Sequence, residues 1–306
     1  MRKVNLKTFR ALLLAAVIVL PVRAFGGVAS QFIPDMSIYS THKGGLNKPE
    51  GVACSSVYDD IVVADSGNGR LMKYGFKDGK VTSQKEIHPV QIVFPVEVQM
   101  NSKGEIFTLD SKLRRIARLS PAGKFEGFIN TSGVPDGANI IPESFKIGQN
   151  DDMYILDIYG ARVIEMDPSG KFLKQTPFPK DAGFITDLAP ANGKVILLDG
   201  AKGAMYISSV DGTSFLPFIG NLRKYLDFPI YITYEKGLIF VVDKNGGNVD
   251  LFGMDGSFHG RRAGLGWDEG LLYFPGQMCV EKDGYAVVTD RENNRVQIFK
   301  IVNTAS

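Results

Sequence analysis

The stretch Asp290-Arg-Glu-Asn-Asn-Arg-Val-Gln-Ile-Phe299 holds the pattern by which the rest of the chain can be read. An apolar run, Ala286-Val-Val-Thr, leads into Asp290, and five residues later Arg295 opens a second run. Apolar runs ending in aspartate recur upstream as Ile61-Val-Val-Ala-Asp65, Ile106-Phe-Thr-Leu-Asp110, Tyr154-Ile-Leu-Asp157, Val195-Ile-Leu-Leu-Asp199 and Ile239-Phe-Val-Val-Asp243. Successive aspartates lie 45, 47, 42, 44 and 47 residues apart, so the chain is built from one repeated unit. Arg70, Arg115, Arg162 and Arg295 share the position five after the aspartate, where Ala204 and Asn248 stand in units four and five. A turn closes the second strand at Gly79, Gly123, Gly170, Gly212 and Gly256. Phe94-Pro95, Phe228-Pro229 and Phe274-Pro275 mark the start of an earlier strand, with Lys48-Pro49 and Ile141-Pro142 as variants.

A unit of about 45 residues that holds four short strands is the signature of a β-propeller blade. Proline start, strand ending in aspartate, arginine five residues on and glycine turn together resemble NHL repeats. The resemblance runs from about residue 46 to the end and is weakest near residues 183–220, where Ile185 replaces the proline. It implies a six-bladed propeller, in agreement with the six aspartates. The expected fold is therefore all-β, six four-stranded blades in one domain over residues 25–306.

After Asp290 there is room for one further strand but no outer fourth one. Met36-Ser-Ile-Tyr-Ser-Thr41, ahead of the first unit, is strand-like and lacks a partner there. It is expected to complete the last blade and so close the ring, which removes exposed strand edges.

The 306 residues carry a formal charge of +2, and its location matters. Arg2, Lys3, Lys7, Arg10 and Arg23 lie in the first 24 residues, which hold no acid. Without them, 30 cations face 33 acids. That segment has a basic start, the apolar run Ala11–Leu20 and a small-residue exit at Val22 and Ala24. This is the layout of a secretory signal, over residues 1–24. The run is too short to cross ~30 Å of hydrocarbon comfortably as a helix. A periplasmic or secreted monomer is expected, with no membrane span once the signal is cleaved. The mildly acidic remainder removes the electrostatic basis for binding nucleic acid.

In a repeat protein the invariant residues build the unit, whereas departures from the pattern are better functional candidates. The aspartates are expected to accept backbone N–H groups and to pair with the arginines. One or two residues past the strand-start position stand Glu50, Glu97, Glu143, Asp187, Tyr231 and Gln277, all expected at one mouth of the channel. Four converging carboxylates suit a hard cation such as Ca²⁺, which takes about six to eight oxygen ligands. Glu50, Glu97, Glu143 and Asp187 are thus candidate metal ligands. Six-bladed lactonases and gluconolactonase-like enzymes hold Ca²⁺ in this part of a propeller. The offset of one residue between Glu50 and Glu143 on one hand and Glu97 and Asp187 on the other implies different side-chain directions. The loops after each aspartate add Lys112, Arg114, Tyr159, Lys202, Lys244 and Arg291 around the same face. Trp267, the single tryptophan, lies in the Gly-rich connection to the last blade, where it is a candidate ligand contact over the channel mouth or, as the favoured alternative, packs between blades.

Only His42, His88 and His259 are present, and none stands in an inner strand. The chain therefore lacks the histidines by which NHL-type amidating lyases hold zinc. A Gly-x-Ser-x-Gly elbow, a Walker pattern and a zincin motif are likewise missing. No cofactor is demanded, and the expected role is binding of a protein or polar ligand in the cell envelope. The alternative is a calcium-dependent lactonase-like hydrolase or a lyase working at the channel. Cys54 and Cys279 each lie eleven residues before a blade aspartate. In an exported protein a disulfide between them would lock the seam. Matching positions on neighbouring blades seldom meet disulfide geometry, however, so two buried thiols are the favoured alternative.

Overall fold

The computed structural model describes residues 29–41 and 44–304; the signal-like segment 1–24 lies outside the described residues. Six four-stranded antiparallel sheets follow one another around a central channel. The innermost strands are Gly51–Cys54, Pro95–Met100, Pro142–Ile147, Ile185–Ala191, Pro229–Glu235 and Pro275–Val280. Beside them run the strands that end in the six aspartates. The five turn glycines after the third strands all have φ between 69° and 85°, the left-handed region that a side chain disfavours.

The second strands are apolar at successive positions, without the alternation of a sheet that is half exposed. Blades stack face to face, so both faces of every second strand are buried. Six apolar clusters result, one at each junction between blades. Val62 and Ala64 face blade 2, for example, while Ile61 and Val63 face blade 6.

The ring closes as expected, through an N-terminal strand that starts and ends earlier than the expected segment. Ala29–Ile38 pairs antiparallel with Arg295–Thr304 along most of its length, making the outer strand of blade 6. Only Met36–Ile38 of the expected segment takes part; Ser40 and Thr41 turn away and pair with Gly44 and Gly45. Ile38 is buried in the cluster between blades 1 and 6. Ile38→Ala is expected to cost about 2–3 kcal/mol in urea unfolding, as large-to-small changes at buried sites do.

The aspartates behave as the repeat logic demands, with an added role. All six are fully buried. Their carboxylates accept backbone N–H groups from the connection leading into their own blade, as Asp243 does from Asp227 at 2.6 Å and Phe228 at 2.8 Å. Asp65, Asp157 and Asp290 also hold their arginines, at 2.7, 2.9 and 2.6 Å. Arg115 breaks the expected pattern. Asp110 instead accepts from the N–H groups of Val93, Phe94 and Leu113.

The cysteines require a correction. Cys54 and Cys279 form a disulfide, with their Cα atoms 5.6 Å apart. Counting from the aspartates misjudged them, because the hairpin between the first two strands of blade 1 is one residue longer. Cys54 lies opposite Ile61, four before Asp65, whereas Cys279 lies opposite Val287, three before Asp290. An offset of one residue turns a side chain to the other face of its strand. The two sulfurs therefore point towards each other across the junction.

Candidate functional site

All six strand-start candidates line one cavity of about 570 Å³ at the face where the inner strands begin, here the inlet face. The four carboxylates do not converge as a set. A one-residue bulge at the head of most inner strands decides this. Glu97 lies opposite Leu109 and Asp187 opposite Leu198, each one before the blade aspartate. The residues at that register in blades 1 and 3 are Gly51 and Ser144, not Glu50 and Glu143. Glu50 and Glu143 are thus displaced by one and sit at the mouth.

Glu97 and Asp187 are buried, and each bridges to the inner strand of the following blade. Glu97 accepts the Phe145 N–H at 3.1 Å and Asp187 the Ile232 N–H at 2.8 Å. Gln277 does the same to Val52 at 3.3 Å, so blades 2, 4 and 6 each supply an acceptor to the next blade. Gly51 occupies the matching position in blade 1, where a Cβ would come within 2.9 Å of the Val96 carbonyl oxygen. Glycine allows that approach.

Between Glu97 and Asp187 lies Lys146, which is not among the strand-start candidates. The Lys146 ammonium is 3.0 Å from Glu97 Oε1 and 2.6 Å from Asp187 Oδ1, and it rests 4.1 Å from the centre of the Tyr231 ring. Lys146 itself is only 4% exposed. Burial works against its charge, but Asp187 and Glu97 outweigh that and hold its pKa above the ordinary lysine range. Desolvation raises the Glu97 pKa, with Lys146 opposing and Asp187 reinforcing the shift. The signal available in the sequence was a lysine flanked by Phe145 and Ile147 in an inner strand. Lysine is rarely buried unless paired.

This cluster floors the inlet cavity and separates it from a chamber of about 270 Å³ at the opposite mouth. The smaller chamber is lined by Lys146, Tyr231, the two cysteines and Glu235, whose pKa burial pushes up to about 7. Among the described residues, no three His, Cys, Asp or Glu side chains are disposed to hold a metal ion. Two of the four carboxylates already share an internal cation. The donor set does not fit Ca²⁺.

At the mouth, desolvation and the charge of Asp187 raise the Glu143 pKa. Glu50 pairs with Arg291 at 3.1 Å. Arg114 reaches the cavity wall, while the Lys112 ammonium lies 5.5 Å from the centre of the Phe94 ring. Lys202 pairs with Asp181 at 3.5 Å, away from the cavity. Lys244 lies in the blade 5 loop of this face, and its N–H bonds the Phe228 carbonyl. Tyr159 is exposed, beside a separate pocket with Asp136 and Arg162. Trp267 is 70% exposed against Tyr273, so of its two expected placements the one between blades is ruled out. Val93, Leu113, Phe184 and Phe228 are also exposed in the loops of this face. Of the described histidines, His88 and His259, neither lines the cavity.

Fold and site together define a six-bladed β-propeller with a plugged channel and an open bowl on one face. No known family model matches the chain. A 41-residue stretch, 13% of this chain, is 51% identical to the E3 ubiquitin-protein ligase TRIM71 of Xenopus tropicalis, and the match spans 5% of that protein's length. A gluconolactonase from Xanthomonas campestris is similar in structure, with a TM-score of 0.64 and 13% identity, over 89% of this chain and 97% of that one. The virginiamycin B lyase of Staphylococcus aureus, solved with quinupristin, gives a TM-score of 0.62 and 12% identity over 89% and 100%. A chain of a nidogen/laminin complex gives 0.60 and 12% over 80% and 95%. At these identities the likeness extends to the fold. Among the described residues no helix is long and apolar enough to cross a membrane.

Proposed function

We propose that this chain is an exported, NHL-type propeller that binds a partner protein on its inlet face and performs no chemistry there. One observation carries the reading: the charged groups on the floor of the bowl are engaged with one another and with neighbouring blades. Glu97 and Asp187 each accept a backbone N–H and share Lys146. A general base needs a lone pair within reach of substrate, and a Ca²⁺ site needs several convergent oxygens. The bowl instead presents polar groups at its rim and exposed apolar side chains around it, the mixture found at protein interfaces. Export is supported by the leader-like sequence and by the disulfide, which persists in oxidising compartments. The short stretch of identity with TRIM71 supports the NHL assignment.

The second reading, a lactonase-like hydrolase or a lyase, draws support from the folds of the gluconolactonase and of a streptogramin B lyase. Its best residue is Glu97, by virtue of its raised pKa. Two measurements separate the readings. A photo-crosslinking side chain at Tyr159 on the inlet face is expected to trap a discrete envelope protein in cells. The same group at Val210, 95% exposed in a turn of the opposite face, is expected to trap none. Turnover of a lactone by purified protein, abolished in Glu97→Gln, would establish the enzyme instead.

A further inference from the structure

Four blades carry arginine five residues after the aspartate, and three of these arginines spend it on an ion pair within the blade. Arg115 does not. Three backbone N–H groups occupy the carboxylate of Asp110, and the Arg115 guanidinium lies instead over the Phe128 ring, 4.0 Å from its centre. Its neighbour Arg114 holds φ 53°, the left-handed turn conformation that Gly69, Ala161, Gly203, Gly247 and Asn294 share at the same position of the other blades. Among the described residues, neither arginine has a carboxylate partner at ion-pair distance.

Both arginines line a pocket of about 540 Å³ between blades 2 and 3, together with Leu113, Phe128, Ile140 and Thr131. The long connection between these blades walls it. That wall is fixed from within: Thr131 Oγ1 donates to the Gly137 carbonyl at 3.0 Å, and a methyl group on Gly137 would run into the Thr131 carbonyl. Arg114 and Pro142 line this pocket and the central bowl alike, so the two form one trough. A guanidinium stacked on a ring keeps its N–H edges available for a bidentate acceptor. The surrounding apolar surface favours a ligand whose carboxylate is attached to an apolar group.

We propose that the Arg114–Arg115 pocket captures a carboxylate of the partner's peptide chain, with an adjoining apolar side chain against Leu113 and Phe128. The assignment rests on the protein-binding reading and specifies its chemistry. Peptide is favoured because the trough runs on from the pocket into the bowl, a length suited to an extended segment.

The test follows the side-chain Nε–H resonances of Arg114 and Arg115 by NMR while N-acetylphenylalanine is added to the full mature protein. Saturable shifts of both are expected. N-acetylphenylalaninamide, which has no carboxylate, should give none, and acetate should give only a weak, unsaturating response. Arg115→Leu should weaken binding at least about tenfold and Arg115→Lys several-fold, since an ammonium cannot make the bidentate contact. An unchanged melting temperature verifies that each variant is folded. Equal responses to acid and amide, equal responses to acetate and acid, no shift, or undiminished affinity in Arg115→Leu each overturn the proposal. Shifts without any crosslink at Tyr159 would keep the carboxylate pocket and remove the protein partner. Crosslinks without shifts would do the reverse.

Discussion

Lys146→Met is expected to lower the unfolding free energy by about 3–5 kcal/mol at neutral pH, the cost of stranding buried charge by removing its partner. The magnitude follows from geometry. Lys146 is the cation at 3.0 Å from Glu97 and 2.6 Å from Asp187, and both carboxylates are buried. Methionine fills a similar volume, so the loss is electrostatic and not a cavity. Adding Glu97→Gln and Asp187→Asn should restore most of the loss, since neutral amides still accept the N–H groups of Phe145 and Ile232. The penalty should also depend on pH in a definite direction. Glu97 has a raised pKa in the folded protein, so protonation favours the folded state. The unfolded value is common to variant and parent, and Lys146 no longer opposes the rise in the variant. The penalty should therefore be smallest at acid pH, where Glu97 is protonated in both folded forms, and should grow as pH rises through the parent's folded pKa. Urea unfolding at several pH values reads both effects. A variant with an unchanged midpoint at pH 7 would show that the cluster does not hold the blades together.

Much of the fold could be read from single positions, because a repeat presents the same argument six times. The six aspartates located the blades, and the missing outer strand of the last unit implied closure by the N-terminal segment. What the sequence hid was register. One bulge residue at the head of the inner strands separates Glu50 and Glu143 from Glu97 and Asp187, and bulges leave little trace in composition. The one-residue offset between the two pairs already implied that split, though not the lysine between Glu97 and Asp187. Lys146 became visible only when three blades were brought together, since its partners come from blades 2 and 4. Arg115 illustrates the opposite case. The repeat rule assigned it to Asp110, and the departure emerges only from seeing that backbone N–H groups had already filled that carboxylate. The rim was more legible, because Arg114 and Tyr159 break the pattern in loops that the topology gathers on one face.

Reduction of the Cys54–Cys279 disulfide is expected to remove up to about 5 kcal/mol of stability, the largest single effect a covalent change in this chain should have. The two cysteines are 225 residues apart in sequence, so the bond encloses nearly the whole ring. A cross-link of that span removes about 5 kcal/mol of chain entropy from the unfolded state on the loop-closure estimate, and measured values often fall short of it. The folded ring should nevertheless survive reduction. Ala29–Ile38 still pairs with Arg295–Thr304, and the apolar cluster between blades 1 and 6 still includes Ile61, Val63, Val287 and Ile298. The cost therefore falls on the stability of the ring while its folded geometry is kept. Urea unfolding of the oxidised protein should show a midpoint well above that of protein held in a phosphine reductant. Cys54→Ala/Cys279→Ala should match the reduced form and should not respond to the reductant. Thiol titration of unfolded protein completes the test, finding no free thiol before reduction and both after it. Coincident unfolding curves for oxidised and verified reduced protein would mean that non-covalent contacts alone set the stability of the ring.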